Sequence, residues 1–306
     1  MDYIYVAVGL LCLFLGGEAL VRGSVGIARR LSMSPLLIGL TVVGFGTSTP
    51  ELLVSVNAAW RGVPDIAVGN IVGSNIANIL LIMGITALVW PIRVSGSTLR
   101  RDTGVMIAAS VALVPIFMLG EIGRFAGAVL LVGLIAYLAS AYLRPGDAAD
   151  DMSAEENPPS AIIAMLWVLA GLVALIFGAR FLVDGAVSIA RGAGLSEAFI
   201  GLTIVAIGTS LPELATSVIA AIRRQSEIAI GNVIGSNIFN VLGILGITAI
   251  IQPIPVADRF LTFDLPVMIV VSLLITALLL KRPVIGRGVG IAFLVAYAAY
   301  VGFAQG

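Results

Sequence analysis

The feature that most constrains this chain is a succession of apolar runs, each about as long as a membrane is thick. A helix crossing the hydrocarbon core takes about 20 predominantly apolar residues. Cutting at charged, Gly and Pro clusters leaves ten such runs, at 3–21, 35–59, 65–90, 103–120, 122–143, 161–182, 197–221, 228–251, 262–280 and 285–303. They fill a chain of 306 residues that is 59% apolar and 11% charged, with a mean hydropathy of +1.12. A soluble domain carries about 25% charged residues because its surface faces water. The sequence therefore predicts an all-α polytopic membrane protein of ten transmembrane helices, with the lipid bilayer as its surroundings. Asp2 stands where a signal peptide has positive charge, and Glu18 falls near the end of the first run, so that run is read as a retained helix.

The ten runs divide into two related halves. Gly39-Leu-Thr-Val-Val-Gly-Phe-Gly-Thr-Ser-Thr-Pro-Glu-Leu-Leu-Val-Ser55 matches residues 201–217 at 11 of 17 positions, at an offset of 162. Gly69-Asn-Ile-Val-Gly-Ser-Asn-Ile-Ala-Asn78 matches residues 231–240 at 7 of 10, at the same offset. The boundaries follow as a first five-helix repeat at 1–145, an acidic, Pro-containing linker at 146–160 and a second five-helix repeat at 161–306. Five crossings is an odd number, so the second repeat must enter the membrane inverted. Placing both termini outside puts twelve Lys and Arg residues on the cytoplasmic side and five outside, as the positive-inside rule favours. Inverted repeats with interrupted helices are the build of secondary transporters, whose sites lie at the midplane.

Composition removes other classes. Lys+Arg and Asp+Glu are 17 each, which excludes the basic excess that a nucleic-acid partner requires. Histidine is absent and Cys12 is the single cysteine, so zinc ligation and Ser-His or Cys-His catalysis lack their parts. Neither an enzyme nor a cofactor protein is expected, and no protein partner is implied. Without a nucleotide-binding fingerprint, the driving force must be an ion gradient or the substrate's own.

Two acids stand out within apolar stretches, Glu51 and Glu213, each following Gly-Thr-Ser-x-Pro. A carboxylate in the bilayer is costly to insert and is a functional candidate by default. Pro50 and Pro212 remove a helical N–H and open the preceding turn, freeing main-chain oxygens. Thr47, Ser48, Thr209 and Ser210 bring hydroxyls within one turn of the acids. In the second motif, helical spacing puts Ser74 and Asn78 on one side of a helix, and Ser236 and Asn240 repeat the arrangement. Gly69 and Gly73 form a small-residue pair suited to close helix approach. Asn70, Asn75, Asn232 and Asn237 read equally well as glue between helices or as ligands. The sum is an all-oxygen cage with two formal acids, which suits calcium: it takes about 6–8 oxygens in irregular geometry. Glu18 with Arg22, and Arg180 with Asp184, have the i, i+4 spacing of mutually neutralising pairs.

The Gly46-Thr-Ser-x-Pro-Glu51 and Gly208-Thr-Ser-x-Pro-Glu213 segments, with Gly73-Ser-Asn75 and Gly235-Ser-Asn237, resemble the two α-repeat signatures of the cation/calcium exchangers, a family that includes sodium/calcium exchangers. The resemblance implies a midplane site on the second, third, seventh and eighth helices, loaded alternately with one calcium or several sodium ions. It carries over as ligands Glu51, Glu213, Thr47, Ser48, Ser74, Asn78, Thr209, Ser210, Ser236 and Asn240, and adds the main-chain carbonyls of Gly44 and Ala206 for sodium. Some members have Asp where this chain has Asn240. The linker is too short for the regulatory calcium-binding domains of animal relatives, so the resemblance implies a minimal prokaryotic form. The expected activity is calcium export driven by sodium across the cytoplasmic membrane. Calcium/proton antiport is the alternative, and a cation channel is a further, less favoured reading.

Overall fold

The structure, a computed structural model, describes residues 1–31, 33–93, 98–143, 159–193, 206–281 and 284–304. The chain runs as α1 (Asp2–Leu31), α2 (Pro35–Thr47), α3 (Thr49–Trp60), α4 (Pro64–Val89), α5 (Leu99–Met118), α6 (Arg124–Leu143), α7 (Ala161–Gly192), α8 (Leu211–Ile222), α9 (Ser226–Ile251), α10 (Phe260–Lys281) and α11 (Arg287–Ala304). Eight of these are each long and apolar enough to cross a bilayer. A ninth span is formed if α2 and α3, which meet at a 44° bend, count as one. The short helix α8 belongs to the span expected over 197–221, most of whose first half lies outside the described residues. The described chain thus carries eight or nine candidate crossings where ten were expected.

The bend has a local cause. Pro50 cannot donate into the preceding turn, and its ring disfavours helical geometry in the residue before it. The helix breaks at Ser48, at φ −81° and ψ 9°, and Ser210, two residues before Pro212, adopts nearly the same values, −88° and 6°. Wide π-type turns interrupt α4 at Asn78–Ile82 and α9 at Phe239–Leu245. Such turns put an extra residue into the helical ring and often mark functional positions.

Helices α4 and α9 form the centre: 78% and 83% of their spanning windows are buried, against at most 39% in the other long helices. Helices α1 and α7 pack antiparallel along their length. A Cβ added at Gly9, Gly16 or Gly23 would lie 2.6–2.9 Å from the backbone around Leu182, Leu175 and Val168 respectively. In lipid there is no hydrophobic force between helices, so this backbone approach supplies the contact.

The expected all-α chain departs from helix in four two-residue strands: β1 (Ile92–Arg93), β2 (Glu121–Ile122), β3 (Ile254–Pro255) and β4 (Val284–Ile285). β1 pairs with β4 and β2 with β3, both antiparallel. Each strand buries one isoleucine, Ile92, Ile122, Ile254 or Ile285, while its backbone pairs where a helix has ended. Helix α5 separates the two pairings, which therefore cap opposite ends of the bundle.

Candidate functional site

Glu51 and Glu213 lie in the first turns of α3 and α8, the two helices that restart after the breaks. A helix N-terminus presents unpaired N–H groups and favours negative charge. Each glutamate is only 1% exposed. No described Lys or Arg pairs with either; the partners are hydroxyls from the opposite half. Ser48 donates to Glu213 Oε1 at 2.9 Å, and Ser210 donates to Glu51 Oε1 at 3.4 Å. The two broken helices are thus bound to one another at the level of their acids.

The other oxygen of each glutamate, Oε2, is buried with no partner in the protein. The same holds for Asn78 Oδ1, Asn240 Oδ1 and Thr209 Oγ1. A buried polar atom without a partner is rare in folded proteins and calls for an explanation. Here all five are oxygens and two belong to carboxylates, a donor set suited to a hard cation.

The remaining predicted ligands lie on or beside α2, α4, α8 and α9. The Gly44 carbonyl accepts the Ser48 N–H at 3.2 Å and has the Ser236 hydroxyl at 3.4 Å. Thr47 has its hydroxyl 3.0 Å from the Val43 carbonyl and 3.1 Å from Asn232 Oδ1. Ala206 begins the short helical turn Ala206–Gly208 just ahead of α8. Ser74 and Thr209 line a cavity of about 630 Å³, together with Asn70, Gly73, Asp264 and Tyr300. Its other walls include Asp65, Arg259 and Ala304, so it lies toward the end of the bundle where α4 and α10 begin and α11 ends.

Two of the four ambiguous asparagines act as braces. Asn70 Nδ2 donates to the Glu51 carbonyl at 3.1 Å and to Ser55 Oγ at 2.9 Å. Asn232 Nδ2 makes the same bonds, to the Glu213 carbonyl and Ser217 Oγ, at the same distances. Ser55 and Ser217 were not singled out from the sequence, although each lies one helical turn beyond its glutamate. Asn75 and Asn237 bond across the two halves.

Three expectations meet the structure differently. Glu18 pairs with Arg22 as expected and also takes Arg223, the residue that caps α8, with Arg223 Nε donating to Oε2 at 2.8 Å, so it ties α1 to the helix carrying Glu213. Arg180 and Asp184 form no ion pair, since helical spacing brings two side chains to one face without making them meet. The close approach expected at Gly69 and Gly73 would, by the offset of 162, be made with residues 198–202, which lie outside the described residues. Among the described residues a Cβ at Gly73 would meet nothing within 4 Å, whereas one at Gly235 would collide with the Leu40 carbonyl oxygen.

Comparison with known proteins agrees with this architecture. The family model described as "Sodium/calcium exchanger protein" matches residues 1–143 and 163–305. A putative antiporter, CaxA, of Alkalimonas amylolytica is 44% identical over 82% of this chain and 81% of its own length. The sodium/calcium exchanger MaX1 of Methanosarcina acetivorans is 31% identical over 98% of this chain and 97% of its own. A solved structure of the sodium-calcium exchanger NCX_Mj superposes with a TM-score of 0.86 at 34% identity, over 98% of each chain. The chain belongs to the sodium/calcium exchanger family, whose members are membrane transporters.

Proposed function

We propose that this member of the sodium/calcium exchanger family exports calcium against sodium across a prokaryotic cytoplasmic membrane, carrying both ions in turn at one site between its two halves. The observation that carries the reading is the pair of buried, unpartnered glutamate oxygens, joined across the halves by Ser48 and Ser210. The proposed ligands are Glu51, Glu213, Thr47, Ser48, Ser74, Asn78, Thr209, Ser210, Ser236 and Asn240, with the Gly44 and Ala206 carbonyls serving sodium. The ions are cargo, and no cofactor enters the reading.

The proposed arrangement is ten helices in two inverted five-helix repeats, 1–145 and 161–306, joined by a cytoplasmic linker at 146–160, with both termini outside. Antiparallel packing of α1 on α7, the first helices of the two repeats, supports the inversion. So do the small strands: β1 and β3 are sequence counterparts at the offset of 162, yet β3 pairs with β2, at the far end of α5 from β1. In this orientation the cavity beside Ser74 and Thr209 reaches the site from outside.

Two acids in a low-dielectric site are expensive to bury uncompensated. An empty carrier therefore crosses between its facing states poorly and a loaded one readily, which enforces exchange over leak. Two glutamates cancel one calcium, while three sodium ions leave one positive charge, so a three-for-one cycle moves one net charge. That charge exchanges about 2.3 kcal/mol with each 100 mV of membrane potential. The test is calcium flux in proteoliposomes under imposed sodium or proton gradients. Sodium-driven flux whose rate changes when a potassium-valinomycin potential is reversed is expected. Flux that needs no sodium, follows the pH gradient and ignores voltage would replace this reading with two-proton antiport.

A further inference from the structure

The residues at 75 and 237 lie next to the proposed ligands, yet every polar atom they possess is engaged within the protein. Asn75 Oδ1 accepts from Asn240 Nδ2 at 3.0 Å, and Asn237 Oδ1 accepts from Asn78 Nδ2 at 2.9 Å. Their own amide groups cross the interface between the halves: Asn75 Nδ2 donates to the Asn237 carbonyl at 3.4 Å, and Asn237 Nδ2 donates to the Asn75 carbonyl at 3.3 Å. Each Nδ2 also faces a methionine sulfur, Met268 for Asn75 and Met106 for Asn237. All four asparagines are at most 2% exposed.

This ring fixes a choice that an asparagine otherwise leaves open. The amide can present either its oxygen or its NH₂ to a neighbouring ion, and only the oxygen is a ligand. Asn75 and Asn237 hold their Nδ2 groups on carbonyl and sulfur acceptors, which turns their oxygens toward Asn240 and Asn78. Asn240 and Asn78 must then spend their NH₂ groups on those oxygens, which leaves Asn240 Oδ1 and Asn78 Oδ1 buried and unpartnered. A flipped Asn240 would set its oxygen against Asn75 Oδ1, two acceptors with no proton between them.

We infer that Asn75 and Asn237 are positioning residues for ion binding, each orienting the ligand amide of the opposite half: Asn75 sets Asn240, and Asn237 sets Asn78. The inference rests on the proposed site. It also makes each half's ion affinity depend on the other half, because neither ligand amide is oriented by its own repeat.

The experiment is calorimetric titration of the purified, detergent-solubilised protein with calcium chloride in sodium-free buffer, with thermal melting of the ion-free protein recorded alongside. Asn240→Ala, which removes a ligand oxygen, is expected to weaken calcium binding about tenfold, equivalent to about 1.4 kcal/mol. Asn75→Ala, which frees that oxygen to turn away, is expected to weaken binding by a similar factor. The double variant Asn75→Ala/Asn240→Ala should stay within about twofold of Asn240→Ala alone, because one residue acts through the other. Asn75→Ala combined with Asn78→Ala should instead weaken binding well beyond either single change, since Asn75 does not act through Asn78. If Asn75→Ala does not fold, the mirror set Asn237→Ala, Asn78→Ala and their double variant asks the same question. Full additivity in the Asn75/Asn240 or Asn237/Asn78 pair, or unchanged affinity in Asn75→Ala, would overturn the positioning role while leaving the site intact. Unchanged affinity in Asn240→Ala and Asn78→Ala would overturn the ligand assignment itself.

Discussion

Replacing Glu213 by Gln preserves the shape of the side chain and removes its charge, which isolates what the carboxylate does. In the structure one oxygen takes the Ser48 hydroxyl at 2.9 Å and the other has no protein partner. A calcium ion contacting that free oxygen at about 2.4 Å is attracted by about 14 kcal/mol at an effective dielectric of about 20. Much of this is offset by the hydration that ion and carboxylate give up. Truncating one member of a buried charge pair typically leaves a net loss of about 2–5 kcal/mol. The calcium half-saturation of Glu213→Gln should therefore rise by roughly 30-fold to several thousand-fold. Radioactive calcium uptake into sodium-loaded proteoliposomes, at the wild-type half-saturating concentration, should accordingly fall to about 6% of the wild-type rate or less. Glu51→Gln should behave alike, because its environment repeats that of Glu213. Sodium carries half the charge, so its affinity should fall by a smaller factor, and the calcium-over-sodium preference should narrow. A folded variant whose half-saturation stays within twofold of wild type would refute the two-carboxylate site.

The hydroxyl bridges should differ in strength: Ser48→Ala should reduce calcium affinity more than Ser210→Ala, since the bonds measure 2.9 Å and 3.4 Å, and the reverse order in a calcium titration would contradict the geometry. Glu18→Gln should leave calcium half-saturation within about threefold, because the Arg22 and Arg223 guanidiniums it meets are about half exposed and exposed pairs contribute about 0–1 kcal/mol. A loss as large as that of Glu213→Gln would make Glu18 part of the transport path.

Both glutamates, the helix breaks beside them and the repeat were legible in the sequence, because charge within an apolar run and identity at a fixed offset are one-dimensional signals. The partner choice was not. Ser48 stands three residues before Glu51 yet bonds Glu213, since the breaks turn each Ser toward the opposite half rather than along its own helix. Arg223 reaches Glu18 across 205 residues of sequence, a contact that no helical spacing encodes. Arg180 and Asp184 have favourable spacing and still do not meet. The π-type turn at Asn78 is likewise invisible to a rule built on 3.6 residues per turn, and so are the isoleucine strands that close the helix ends.

The least legible property is the difference between two nearly identical motifs. Gly69-Asn-x-x-Gly73-Ser-Asn and Gly231-Asn-x-x-Gly235-Ser-Asn share their sequence signature, yet among the described residues only the second is packed backbone to backbone, against Leu36–Leu40 of α2; the segment that the offset of 162 sets against the first, 198–202, lies outside the described residues. On the proposed alternating-access reading the halves exchange roles, so that in the opposite-facing state Gly73 would take the tight contact and Gly235 the open one. Gly73→Leu should therefore fit this state, where no described atom lies within 4 Å of the added Cβ, and clash in the other. Overpacking costs about 1–3 kcal/mol, so the facing equilibrium should shift by roughly 5- to 150-fold and turnover should fall with it. Gly235→Ala should bias the other way, because its Cβ would collide with the Leu40 carbonyl oxygen. The reporter is a cysteine at Val54, which lines the cavity, introduced after Cys12, the only native cysteine, is replaced by Ala. Labelled in detergent by a hydrophilic maleimide, it should react faster in the Gly73→Leu background and slower in the Gly235→Ala background. Wild-type exchange rates in Gly73→Leu, or equal labelling in the two backgrounds, would show that these glycines do not trade places.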